Sequence, residues 1–73
     1  MVRIQTMNRY FLTFKEKGIW HIQYVIITSE NESDARAVFG LIYHKEVLEV
    51  TQNEPKGLQY QHYQSIVQRQ TEN

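Results

Sequence analysis

The chain predicts an α+β fold, an antiparallel sheet of three or four strands packed by one helix, in the order β-β-α-β with a further strand at the end. Three observations carry this. Residues 8–28 hold two runs of aromatic and β-branched residues broken at Glu16-Lys17-Gly18, the pattern of a β-hairpin. Ala35, Val38, Phe39 and Ile42 recur at helical spacing and form one apolar stripe. Residues 46–52 alternate again, with Leu48 and Val50 on one side.

At 73 residues the chain is expected to be a single small domain spanning residues 1–73. Residues 1–7 read as an N-terminal arm, with Met7 as an alternative start, and residues 68–73 as a frayed polar tail. There is no cysteine, so neither disulfides nor thiolate zinc sites can staple the fold. Small scaffolds without staples often gain stability by self-association, which makes a homodimer the expected state.

The first strand covers about Arg9 to Lys15, with Tyr10, Leu12 and Phe14 inward and Arg9, Phe11, Thr13 and Lys15 outward. The second covers about Ile19 to Thr28. A two-residue loop at Lys17-Gly18 sets Phe14 opposite His21, whereas a three-residue loop sets Phe14 opposite Trp20, Leu12 opposite Ile22 and Tyr10 opposite Tyr24. The second register collects large apolar side chains on one face and is preferred. It directs Trp20, Ile22, Tyr24 and Ile26 inward.

Asn31 is the expected N-cap of the helix, with Glu32 and Asp34 in the first turn and Ser29 with Glu32 as a competing capping box. Ile42 completes the stripe, so the helix should pass Gly40 and end near Tyr43 or His44. A third strand comes next, over Glu46 to Gln52. Glu54-Pro55-Lys56-Gly57 then reads as a type I turn. Leu58, Tyr60 and His62 alternate with Gln59, Gln61 and Tyr63, which allows a fourth strand pairing back on the third. A helix through Tyr63, Ile66 and Val67 is the alternative.

Nothing in the sequence matches an enzyme template, so no catalytic residue, metal site or cofactor is expected. His21, His44 and His62 lack metal-ligand spacing, and Gly18, Gly40 and Gly57 form no phosphate loop. Eight basic and eight acidic residues cancel, which argues against both a strongly basic nucleic-acid binder and an acidic DNA mimic. There is no long apolar run to span or enter a membrane, and a cytoplasmic protein is expected.

Function is sought in surplus apolar surface. In the preferred register one helix cannot cover both hairpin faces, leaving Phe11, Ile19, Val25 and Ile27 as an outer patch for a protein partner, host or self. The C-terminal segment is the alternative cover. The other candidate function is nucleic-acid binding by Arg9, Phe11, Lys15 and His21, aromatic and basic groups on that same face.

Ser33-Asp34-Ala35-Arg36-Ala37-Val38-Phe39-Gly40, preceded by a hairpin and followed by Glu46-Val47-Leu48-Glu49-Val50, resembles the small dimeric phage inhibitors of uracil-DNA glycosylase. The resemblance covers positions 10 to 50 in layout, and this chain departs from it in being neutral and in its C-terminal extension. It implies that Val38 and Phe39 line a pocket for an apolar side chain of the enzyme, with acidic contacts from Glu46 and Glu49. The expected function is non-enzymatic binding to a protein, as a homodimer, of the kind used by small phage or mobile-element regulators and inhibitors, an analogy that rests on size and the absence of a catalytic template.

Overall fold

The computed structural model describes residues 7–67. The arm over residues 1–6, Arg3 within it, and the tail over residues 68–73 lie outside the described residues.

Strand β1, Asn8–Lys15, runs antiparallel to β2, Ile22–Ser29. Phe14 stands opposite Gln23, Leu12 opposite Val25 and Tyr10 opposite Ile27, so neither register expected from a short loop is adopted. The turn begins as expected, with Gly18 at φ 87° and the Ile19 N–H donating to the Glu16 carbonyl at 3.1 Å. Residues 19–21 then extend the loop before pairing starts. The Lys15 ammonium donates to the Trp20 carbonyl at 3.2 Å and helps hold that extension.

This register reverses the faces of β2. Val25 and Ile27, expected outside, are fully buried beneath the helix, and Trp20, expected inside, is 70 % exposed. Ile22, Tyr24 and Ile26 lie on the face away from the helix. Loop length supplies the physical reason. Phe14 pairs with Gln23 where Trp20 was expected, a shift of three positions, and an odd shift exchanges the two faces of a strand. Val25 and Ile27 therefore enter the helix-side core, Gln23 comes in with them, and Tyr24 lies beside the Glu54 carboxylate on the other face.

Helix α1, Glu32–Tyr43, begins and ends where its signals predict. The Asn31 side chain accepts from the Asp34 N–H at 2.8 Å, satisfying one of the free donors of the first turn. Glu32 and Arg36 pair at 2.9 Å one turn apart. His44 takes the left-handed cap conformation at φ 55°. Ala35 and Phe39 are buried, Val38 and Tyr43 partly so, while Ile42 is half exposed at the edge of the stripe.

Strand β3, Glu49–Thr51, is shorter than expected and pairs antiparallel with β1, Leu12 opposite Val50. Strand β4, Tyr60–Val67, resolves the open choice in favour of a strand over a helix. It pairs with β2 and not with β3, and it is parallel. The sheet order is β3-β1-β2-β4, a mixed sheet where a purely antiparallel one was expected. Tyr24 faces His62 and Val25 faces Gln64, so Tyr63 is the extra residue of a bulge.

The core lies between sheet and helix: Tyr10, Leu12, Phe14, Val25, Ile27, Ala35 and Phe39, with Val38, Tyr43, Val47, Val50 and Ile66 around it. Phe14 is its hub, with ring centroids 5.4 Å from Phe39, 5.7 Å from Tyr43 and 5.8 Å from Tyr63.

Strands β3 and β4 occupy opposite edges yet point the same way, so the chain between them must cross the sheet. Residues 52–59 make this crossing as a strap on the face opposite the helix. Glu54 meets Tyr24 there, and Phe11, Thr13 and Tyr24 are all less than 9 % exposed. The turn expected at Glu54-Pro55-Lys56-Gly57 forms instead over residues 57–60, with Gly57 at φ 132° and its carbonyl accepting from the Tyr60 N–H at 3.2 Å.

Candidate functional site

The outer apolar patch expected on the hairpin does not form. Val25 and Ile27 belong to the core, Ile19 is half buried in the β1–β2 loop, and Phe11 is 5 % exposed. Phe11 is enclosed by Tyr24, 6.0 Å away between centroids, and by the Arg9 guanidinium, 5.6 Å above its ring. An aromatic ring so enclosed offers no free surface for a base to stack on. Phe39 is likewise sealed at 1 % exposed and lines no accessible pocket; Val38 beside it is half buried.

Of the basic and aromatic set Arg9, Phe11, Lys15 and His21, the structure keeps Arg9 with Phe11 on the face opposite the helix. Lys15 and His21 gather instead at the loop end of the sheet. His21 packs on Trp20 at 3.7 Å between ring centroids, and the exposed Lys15 binds the Trp20 carbonyl. His44 caps the helix and His62 contacts the Ser65 hydroxyl at 3.1 Å, so the three histidines have separate surroundings. Among the described residues, no three acidic or histidine side chains are grouped as metal ligands, and no surface cleft is present.

The least protected feature is the free edge of β4. Strand β2 occupies one side of β4 and nothing described occupies the other. The Ile22 N–H donates to the Gln59 carbonyl at 2.7 Å, which places the polar groups of Gln59 toward β2. Alternation along the strand then turns the carbonyl of Tyr60, and both the N–H and the carbonyl of His62, away from the sheet. Natural edges are usually blunted by charges, proline or brevity. This one is eight residues long, Tyr-Gln-His-Tyr-Gln-Ser-Ile-Val, with no charged residue and no proline.

Side chains flank this edge on both faces. Tyr63, 49 % exposed, and Gln64 lie on the helix side, where the Tyr43 hydroxyl donates to Gln64 Oε1 at 3.0 Å. His62 stacks on Tyr24 at 5.3 Å on the strap side, and Val67 is 63 % exposed. Two phenols in this region titrate above their ordinary range. Burial first, then the charge and hydrogen bond of Glu54, raise Tyr24. Burial first, then the proximity of Tyr63, raise Tyr43. Both stay neutral donors across the physiological range.

Sequence reasoning passed over this edge because it weighed apolar side chains and not backbone. A signal was present. From Gly57 to Gln68 the chain carries no lysine, arginine, aspartate or glutamate, a long uncharged run in an otherwise well-charged sequence. Among the described residues, no helix is long and apolar enough to cross a membrane. The chain matches no family model, no curated protein and no solved structure.

Proposed function

We propose that this chain is a small non-enzymatic binding module that acts by protein–protein contact through the free edge of β4, as a phage or mobile-element regulator or inhibitor would. One observation carries the reading: an eight-residue edge strand free of charge and proline. Its outward N–H and carbonyl groups match those of any added strand, and such strand addition is a general mode of peptide and protein recognition. Exposed Tyr63 and Val67 supply apolar anchors beside the backbone pairing. Inhibition of a host enzyme such as uracil-DNA glycosylase is one form this contact can take, with exposed Glu46 and Glu49 as its acidic groups.

Affinity capture from host lysate tests the reading. The wild-type chain and a variant carrying Gln61→Lys with Gln64→Lys are compared, with folding checked by circular dichroism. The variant is expected to lose the captured protein. Undiminished capture by a folded variant would sink the assignment of β4.

A second reading, nucleic-acid binding, draws on the loop end of the sheet. Trp20 is 70 % exposed and packed on His21, its carbonyl is held by exposed Lys15, and exposed Lys17 lies three residues before it in the loop, which makes it a better stacking platform than Phe11. Titration with single-stranded DNA and RNA across salt concentration tests it. Binding that ignores salt, or no binding, removes it.

A further inference from the structure

We infer that the strand added at the edge of β4 is the β4 of a second copy, giving a closed two-fold dimer with one continuous eight-stranded sheet. This rests on reading β4 as the contact edge and names its partner. Three observations favour a copy of this chain over an unrelated strand.

The first is self-compatibility. A two-fold ladder sets β4 against its own reverse, so any charge on it would meet a like charge across the pair. The strand carries none, and neither does the approach to it from Gly57. Net charge at neutral pH is +0, so no long-range repulsion opposes two copies meeting.

The second is closure. A head-to-tail arrangement would pair β4 with the opposite edge, β3, and build an open filament. Strand β3 is only three residues long and carries the exposed Glu49. Among the described residues the sheet therefore has one usable edge, and a molecule with one self-complementary edge stops at a dimer.

The third is side-chain area. Backbone pairing of one strand falls short of the roughly 1,000 Å² that a specific contact needs, so flanking side chains must contribute. A two-fold axis normal to the sheet keeps both helices on one face and both straps on the other. It brings Tyr63, Gln64 and Ile66 of the two copies together on the helix side, and His62 and Ser65 together on the strap side. The exposed Tyr63 and Val67 then lose water from apolar surface that the isolated chain leaves wet.

Sedimentation velocity across micromolar to several hundred micromolar protein reads the outcome. The wild type is expected to move toward twice the 8.8 kDa chain mass as concentration rises. Gln61→Lys with Gln64→Lys, and separately Gln61→Glu with Gln64→Glu, should each weaken the dimer by about tenfold or more. Mixing the lysine and glutamate variants should restore a dimer, which only pairing between copies explains. If either variant fails to fold, His62→Pro against His62→Ala replaces it. Proline removes an outward N–H and should dissociate the dimer, and alanine should not.

A wild type that stays monomeric at several hundred micromolar overturns self-pairing. If its β4 variants still lose a captured protein, the contact edge itself survives. A dimer indifferent to every β4 variant overturns the self-pairing, and capture that is equally indifferent overturns the β4 contact edge as well.

Discussion

Tyr24 on β2 and Glu54 on the strap meet across the face of the sheet that the helix leaves uncovered, where burial first and then the nearby carboxylate hold the proton on the phenol. Phe11 and Thr13 on that same face are buried, and residues 52–59 run between the two edges of the sheet, from β3 to β4.

That contact makes stability sensitive to alkali. The native pKa of Tyr24 is raised from 10.0, so the native state holds the proton longer than the unfolded chain does. The resulting stabilisation is fully present below the unfolded value and is lost as pH rises through the native one. Tyr43, raised by burial and by Tyr63, adds to the loss in the same window. Urea midpoints measured from neutral pH to about 11 should fall steeply at the alkaline end, and Tyr24→Phe should flatten the fall. An unchanged slope would mean that Tyr24 exchanges its proton freely.

Removing the hub of the core should be severe. Phe14 is 0 % exposed and touches three other rings, so Phe14→Ala loses transfer energy and leaves a cavity. The expected cost is about 3–5 kcal/mol, a large share of the stability of a small domain. Trp20→Ser, at a side chain 70 % exposed, should by contrast move the urea midpoint by no more than about 0.5 kcal/mol equivalent.

The glycines should part company. A Cβ on Gly40 meets nothing within 4 Å, and Gly40 sits inside α1, so Gly40→Ala should stabilise by about 0.5–1 kcal/mol. Gly57 has φ 132°, and a Cβ there would lie 2.5 Å from the Gln59 side-chain oxygen. Gly57→Ala should therefore lower the melting temperature where Gly40→Ala raises it. Asn31→Ala, which removes the N-cap acceptor, should cost about 1 kcal/mol.

Gln23 is a polar residue in the wrong solvent. It is 6 % exposed on the helix side, opposite Phe14, and its Oε1 has no hydrogen-bond partner among the described residues. An unpaired buried carbonyl costs about 1–3 kcal/mol, so Gln23→Met, similar in length, should be neutral or stabilising in thermal unfolding. A clear loss of stability would point to a hidden partner for that oxygen.

Local features were legible in the sequence, and long-range pairing was not. The Asn31 cap, the passage of the helix through Gly40, and the inward set Tyr10, Leu12 and Phe14 all arise from short-range chemistry. The faces of β2 do not, because from Tyr24 to Ile27 the strand is apolar at every position and its period is silent. Loop length then decides, and the three residues 19–21 carry no turn signal that announces the extension. Of the partner-binding residues expected there, Val25 and Ile27 moved into the core by that shift alone. Parallel pairing of β4 with β2 was hidden for another reason. Leu58 to Tyr63 alternates as well for one edge as for the other.

The connections have a consequence in time. The helix carries the chain from β2 to β3 over one face, and the strap carries it from β3 to β4 over the other. The earliest strands made, β1 and β2, thus end in the middle of the sheet, wrapped by the segments synthesised after them. A nascent chain that has released only the hairpin exposes both of its edges, and β2 gains its second neighbour only when the final strand emerges. Contacts so distant in sequence pay loop-closure entropy before they return enthalpy, which places folding among the slower small domains. Synthesis runs from the N-terminus, so the β1–β2 hairpin emerges well before the strand that completes its sheet.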